Sequence, residues 1–150
     1  MKQRKLKTRV SLLFLAALSA MLFSSMAIRA DDADSSAWEA PARAARKKNP
    51  IPADDKSIAA GKAIYISQCL KCHGTAGKGD GPSARDLTPR PKDLSDPKVS
   101  AQTDGALYWK ITNGRSPMPA FETLLSDDDR WNVVNYIRVL APAPSSSPAK

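Results

Sequence analysis

Three residues in one short stretch, Cys69, Cys72 and His73, carry the side chains best suited to chemistry. They lie in Cys69-Leu70-Lys71-Cys72-His73, and the chain's two cysteines and one histidine all fall within these five positions. Two thiols three apart with an imidazole next in line serve three chemistries: a zinc site, a disulfide, or the covalent attachment of haem. A structural zinc ion takes four ligands, generally from two separated pairs of Cys or His. No second pair exists here, so zinc would need carboxylates or a second chain. A thioredoxin-like redox centre places its C-x-x-C at a strand-to-helix junction, whereas this motif follows a helical pattern. A structural disulfide between Cys69 and Cys72 would close a small strained ring and leave His73 unexplained. The third chemistry uses all three residues. C-x-x-C-H is the attachment signature for c-type haem: two sulfurs on one helical turn reach the two vinyl groups, and His73 faces the iron as its proximal ligand.

The partner of His73 follows by elimination. Of the four methionines, Met1, Met21 and Met26 lie in the N-terminal segment, leaving Met118, 45 residues after His73. Pro117 and Pro119 flank it and are expected to hold the backbone extended, with the thioether as the projecting group. Lysine is the competing ligand type. An iron closed by His73 and Met118 has no open position for substrate or oxygen, so its chemistry is one-electron exchange. An electron carrier is therefore expected rather than an enzyme. An enzyme or gas sensor would need a labile sixth ligand, which carbon monoxide binding would reveal.

Composition narrows the function further. The formal charge of +8 suggests nucleic acid, but six basic and no acidic residues lie in positions 1–30. Setting these aside leaves 17 basic against 15 acidic residues, a net of +2 with the signs mixed. No phosphate-binding stripe remains, and nucleic acid is excluded as a partner. Residues 1–30 have the build of a signal peptide: a basic start, an apolar run, then small residues, with cleavage after Ala27 or Ala30. The alternative is an uncleaved membrane anchor, although four serines dilute the apolar run. Export to the periplasm is expected. Residues 31–55 read as a polar, proline-containing leader or linker, in which Trp38 and residues 49–52 are candidates for docking on the domain. Residues 56–141 form the domain, and 142–150 a disordered tail.

Within the domain the spacing predicts helices and no strands. Asp54, Asp55 or Ser57 is positioned to cap a helix through residues 57–72, with Ile58, Ala59, Ala63, Ile66 and Leu70 as its apolar positions. Residues 74–97 hold four glycines and four prolines and read as loop. A second helix is expected from Asp104 to Gly114, and a third after Ser126, which forms a capping-box pattern with Asp129. In that helix Val133, Tyr136, Ile137 and Leu140 share a face. The fold class is all-α, with at least three helices and long loops. Loops of that length are unusual in so small a domain unless a large cofactor supplies part of the core.

From about Ser57 to Leu140 the chain resembles the class I c-type cytochromes, in the bacterial monohaem group. The matching pieces are Gly61-Lys62-x-x-Tyr65, Cys-Leu-Lys-Cys-His-Gly, Gly77-x-Gly79-Asp80-Gly81-Pro82, Gly114-x-x-x-Met118-Pro119-x-Phe121 and Trp131-x-x-Val134-x-Tyr136-Ile137-Arg138. The resemblance implies the cytochrome c fold around one covalent haem c. It also implies a close crossing of Gly61 and Tyr65 on the first helix with Tyr136 on the last. The Pro82 carbonyl would accept a hydrogen bond from His73 Nδ1. Tyr108, Trp109, Arg85 and Arg90 become candidates for propionate contacts or haem walls. Lys62, Lys71, Lys78, Lys110 and Arg115 are candidates for a docking rim, or ordinary solvated cations. The expected partners are redox proteins acting as donor and acceptor, with the membrane involved only if the N-terminal segment stays uncleaved. The expected state is a monomer, unless the chain is a dedicated haem subunit of a dehydrogenase or oxidase complex.

Overall fold

The computed structural model describes residues 38–141 of the protein, and those from Glu39 onward belong to one compact unit. Residues 1–30, expected as a signal peptide, and 142–150, expected as a tail, lie outside the described residues. Among the described residues six α-helices follow in chain order: α1 Ala42–Ala45, α2 Asp55–Ile64, α3 Leu70–His73, α4 Pro97–Ser100, α5 Asp104–Asn113 and α6 Asp127–Leu140. A π-helical turn, Tyr65–Cys69, joins α2 to α3, and a 3-10 turn spans Ala84–Asp86. Among the described residues there are no strands, only an isolated bridge between Arg115 and Met118. The fold is all-α, as expected.

The helices begin where their capping side chains stand. The Asp54 carboxylate accepts from the Ser57 amide at 2.8 Å and starts α2. Thr103 starts α5 by accepting from the Ala106 amide at 3.2 Å. At α6 both halves of the capping box form: Ser126 Oγ accepts from the Asp129 amide at 3.1 Å, and the Asp129 carboxylate accepts from the Ser126 amide at 3.3 Å. Asp127, Asp128 and Asp129 in that first turn also complement the positive end of the helix dipole. The four-residue α4, capped by Asp96 with Pro97 in its first turn, begins at the last residue of the stretch expected as loop and has no counterpart among the expected helices. It is too short for any periodicity to reveal.

α2 and α6 cross closely, and the crossing chooses which face of α2 is buried. A Cβ on Gly61 would stand 2.0 Å from the Asn132 carbonyl oxygen, so the two backbones can meet only because this residue has no side chain. Next to it the Tyr65 and Tyr136 rings pack with centroids 5.2 Å apart at 58°. The buried residues of α2 and the turn after it are Ser57, Gly61 and Tyr65. This corrects the expected apolar face: Ala59 and Ala63 are exposed, Ile58 and Leu70 half-buried, and Ile66 is 53% exposed. Close backbone approach and a satisfied hydroxyl outweigh side-chain hydrophobicity here.

The same junction docks the leader. Asn135, buried on α6, points Nδ2 at the Ile51 and Pro52 carbonyls, each at 3.2 Å, and at Ser57 Oγ at 3.0 Å. Its Oδ1 accepts from Asn49 Nδ2 at 2.7 Å. Further back, Thr103 Oγ1 donates to the Ala45 carbonyl at 2.7 Å. Residues 39–55 are thus part of the compact unit, and the boundary placed at residue 55 has no counterpart in the packing. The docking expected of residues 49–52 is made by the Asn49 side chain and the Ile51 and Pro52 carbonyls.

The core gathers α5 and α6 through Leu107, Tyr108, Ile111, Trp131, Val133, Val134 and Ile137, together with Phe121 from the loop between them. Val133 and Val134 are almost wholly enclosed; burying each contributes roughly 2 kcal/mol. Ile64, Leu94 and Met118 pack against this cluster from the side, so the loops that carry the candidate residues rest on it.

Candidate functional site

Cys69 closes the π-helical turn, and Cys72 and His73 stand on α3, so one continuous helical path carries all three side chains. Both thiols are free and half-buried. Burial, reinforced by the neighbouring Cys72, pushes the Cys69 thiol up to about 12, which keeps it protonated. Burial also lowers the His73 pKa, against a smaller opposing effect of its hydrogen bond to Lys92, and so favours the neutral imidazole. His73 Nδ1 lies 3.1 Å from the Lys92 carbonyl oxygen. A carbonyl can only accept, so the ring proton sits on Nδ1 and the Nε2 lone pair is left for a metal.

That contact replaces the one expected from Pro82. Pro82 is exposed, and its neighbours are tied to α3 instead: the Gly81 amide donates to the Cys72 carbonyl at 3.1 Å and the Ser83 amide to the Lys71 carbonyl at 3.0 Å. Lys92 reaches His73 because the chain immediately after it is pinned. The Leu94 amide donates to the Gly77 carbonyl at 2.6 Å. Asp93 accepts from the Ser95 amide at 2.8 Å and the Ser95 hydroxyl at 2.6 Å, while Lys78 Nζ approaches its other oxygen at 3.4 Å. The Ser95 hydroxyl leads the causes that hold the Asp93 carboxyl below its usual range.

The turn itself is fixed from outside. All four carbonyls of α3 accept hydrogen bonds: Leu70 from Gly74 at 2.8 Å, Lys71 from Ser83, Cys72 from Gly81, and His73 from Gly79 at 2.9 Å. A helix ordinarily leaves its last four carbonyls without partners. Here the 79–83 run donates through alternate residues and supplies most of what is missing. It can lie that close because a Cβ on Gly81 would stand 2.4 Å from the Lys71 oxygen and 2.6 Å from that of Leu70. Tyr65, buried with its phenol pushed well above the usual range chiefly by desolvation, donates to the Gly74 carbonyl at 2.7 Å.

Met118 sits on a separate turn, half-buried against the core. The Met118 amide donates to the Arg115 carbonyl at 2.8 Å and the Arg115 amide to the Met118 carbonyl at 3.0 Å, with the Ser116–Pro117 bond cis. This closed turn corrects the extended backbone expected of the proline-flanked segment. The loop then returns to α5, where the Phe121 amide donates to the Ile111 and Thr112 carbonyls, both at 3.1 Å.

Other candidates separate by location. Tyr108 is a core residue: it stacks on Trp131 with centroids 3.9 Å apart, and its hydroxyl bonds Asp127 at 3.0 Å. That removes it as a free wall. Trp109 is half-buried, and Arg85 and Arg90 are exposed. Of the suggested rim, Lys62, Lys71 and Lys78 are exposed, with Lys78 paired to Asp93, while Lys110 and Arg115 are half-buried. Arg130, absent from the sequence reading, is buried and bonds the carbonyls of Phe121, Glu122 and Leu125. No sequence signal separates it from the chain's other arginines.

Two thiols and a neutral imidazole on one braced turn, with one thioether presented from a second, form a donor set that fits a c-type haem. Residues 56–137 match the family model described as Cytochrome C oxidase, cbb3-type, subunit III. Cytochrome c6 of Rippkaea orientalis is 33% identical over 97 residues, covering 61% of this chain and 78% of that protein. Cytochrome c6 of Bumilleriopsis filiformis is 34% identical over 77 residues, covering 51% and 84%. Among solved structures, a chain of the Kuenenia stuttgartiensis reducing HAO-like protein complex superposes with a TM-score of 0.58 at 36% identity. The match covers 62% of this chain and 47% of that one, so the protein spans about half the length of that solved chain. The chain belongs to the class I c-type cytochromes, helical proteins that carry a covalently attached haem and serve electron transfer.

Proposed function

We propose that the protein is an exported one-electron carrier in which Cys69 and Cys72 hold the haem through thioethers and His73 and Met118 close the iron. When bound, the haem supplies reversible one-electron exchange between ferric and ferrous iron. The chain's own residues decide how that exchange proceeds. His73 is held neutral by burial, with its Nδ1 proton donated to the Lys92 carbonyl, which orients the ring and raises the basicity of Nε2. Met118 offers a soft, uncharged donor that favours the ferrous state and raises the potential. A closed coordination sphere leaves no position for a substrate, and the protein catalyses no reaction of its own.

The observation that carries this reading is the brace on α3: every carbonyl of the helix is tied, so both thiols and the imidazole are held in one geometry. Small structural change between redox states is what a carrier needs. Replacement of Met118 tests the ligand assignment. Met118→Ala is expected to abolish the sulfur-to-iron absorption band, lower the midpoint potential and let the reduced protein bind carbon monoxide. An unchanged spectrum would show that another residue closes the iron.

A second reading makes the chain a dedicated haem subunit. It is favoured by the match to a family model described as an oxidase subunit and to a solved chain taken from a protein complex. Periplasmic export rests on the signal-like residues 1–30, and among the described residues no helix is long and apolar enough to cross a membrane. N-terminal sequencing and gel filtration of the native protein separate the readings. A carrier begins at Asp31 or Ile28 and elutes alone; a subunit co-elutes with its complex.

A further inference from the structure

We infer that Arg130 is a positioning residue for the sixth ligand: it locks the far end of the loop that presents Met118. This rests on the reading of Met118 as an iron ligand, and deepens it. Arg130 is 4% exposed on the first turns of α6. Its Nη1 donates to the carbonyls of Phe121 at 3.2 Å, Glu122 at 2.8 Å and Leu125 at 3.0 Å. Its Nη2 donates to Tyr108 Oη at 3.0 Å and pairs with the Asp127 carboxylate, and the guanidinium lies 5.2 Å from the Tyr108 ring centroid.

A guanidinium that deep is costly to desolvate, and an apolar side chain of similar volume would stabilise the core at least as well. What an apolar residue could not do is bond three main-chain carbonyls. Those carbonyls begin three residues after Met118. The Phe121 peptides are consequently held from two directions, the amide by the α5 carbonyls and the carbonyl by Arg130 of α6. At the near end the loop leaves α5 through Gly114 at φ +61°. Between these anchors lie the six residues Arg115–Ala120, closed on themselves by the two Arg115–Met118 bonds. With so little chain between fixed points, the position of the Met118 thioether is set by the anchors, and Arg130 is the side chain that secures one of them.

The test uses holoprotein. Arg130→Met and Arg130→Lys are compared with Arg138→Met. The Arg138 guanidinium makes a similar set of bonds, to Asp104 at 2.8 Å, Ser100 at 2.7 Å and Gln102 at 2.5 Å, but to a different part of the fold. The readouts are the sulfur-to-iron absorption band and the rate at which reduced protein takes up carbon monoxide. Arg130→Met is expected to weaken the band and speed carbon monoxide uptake about tenfold or more, the effect of losing one charge-assisted hydrogen bond. Arg130→Lys should fall between, since it keeps the charge but not the fork. Arg138→Met should lower the melting temperature and move neither readout. If Arg130→Met does not fold, Arg130→Lys and Tyr108→Phe, which removes one of the guanidinium's partners, carry the same readouts. Wild-type band and uptake in the folded Arg130 variants, or equal changes in Arg138→Met, would overturn the inference. Failure of the underlying reading looks different: Met118→Ala would itself leave band and uptake unchanged.

Discussion

The C-terminal ends of α3 and α5 both meet a glycine in the left-handed region, Gly74 at φ +78° and Gly114 at φ +61°. Each helix then accepts hydrogen bonds from a loop that returns along it. The two returns are built from different material. At α3 the donors are Gly79, Gly81 and Ser83, with backbone doing almost all the work. At α5 they are Phe121 and Glu122, where the Phe121 side chain enters the core and Arg130 grips the carbonyls. The difference follows the task. The attachment turn needs only to hold residues already adjacent in sequence, which local backbone bonds achieve. Met118 belongs to a turn 45 residues from His73, and only side chains anchored in the common core keep so distant a group in place.

Phe121→Ala attacks the core-anchored end and should have the largest effect. Emptying that buried site is expected to cost about 4 kcal/mol in denaturant titrations of the holoprotein. The sulfur-to-iron band should be lost before haem absorbance is. Gly81→Ala attacks the backbone-anchored end, where its Cβ would meet only main-chain atoms of Leu70, Lys71 and Cys72. A cost of about 3 kcal/mol is expected, read chiefly as a lower yield of covalently loaded protein while the band persists in what is loaded. Equal loss of both signals in both variants would show that the two ends are not separately built.

Smaller changes sharpen the contrast. Tyr65→Phe leaves the Gly74 carbonyl without its donor and should cost about 1.5 kcal/mol, with an unaltered band. Ser126→Ala removes the α6 cap from a site touching neither loop's donors, and about 1 kcal/mol should be lost with both signals unchanged.

Much of the site was legible because its logic is local. C-x-x-C-H places three side chains by spacing alone, and Ser126 with Asp129 marks a helix start through bonds spanning three residues. Gly114 stops α5 where expected for the same reason. The expectation built on Pro82 failed because the acceptor for His73 lies on Lys92, held there by Gly77, Asp93 and Ser95 rather than by any motif around itself. The apolar pattern of α2 misled because Gly61 and Ser57 are buried for closeness and hydrogen bonding, which hydrophobicity does not register. Residues 49–52 dock on the domain, as their composition suggests, but Asn135, the partner that receives them, lies 86 residues from Asn49 and carries no sequence mark of that role.

The amino-acid sequence by itself determined the chemistry: two thiols, one imidazole and one thioether beyond the N-terminal segment leave little freedom in what they bind. Tertiary structure decided how those groups are held. It chose the carbonyl that orients His73, the closed turn that presents Met118 and the buried guanidinium that secures it. Side-chain identity and short spacing are properties of the chain, whereas a hydrogen bond between distant segments exists only after the core has brought them together.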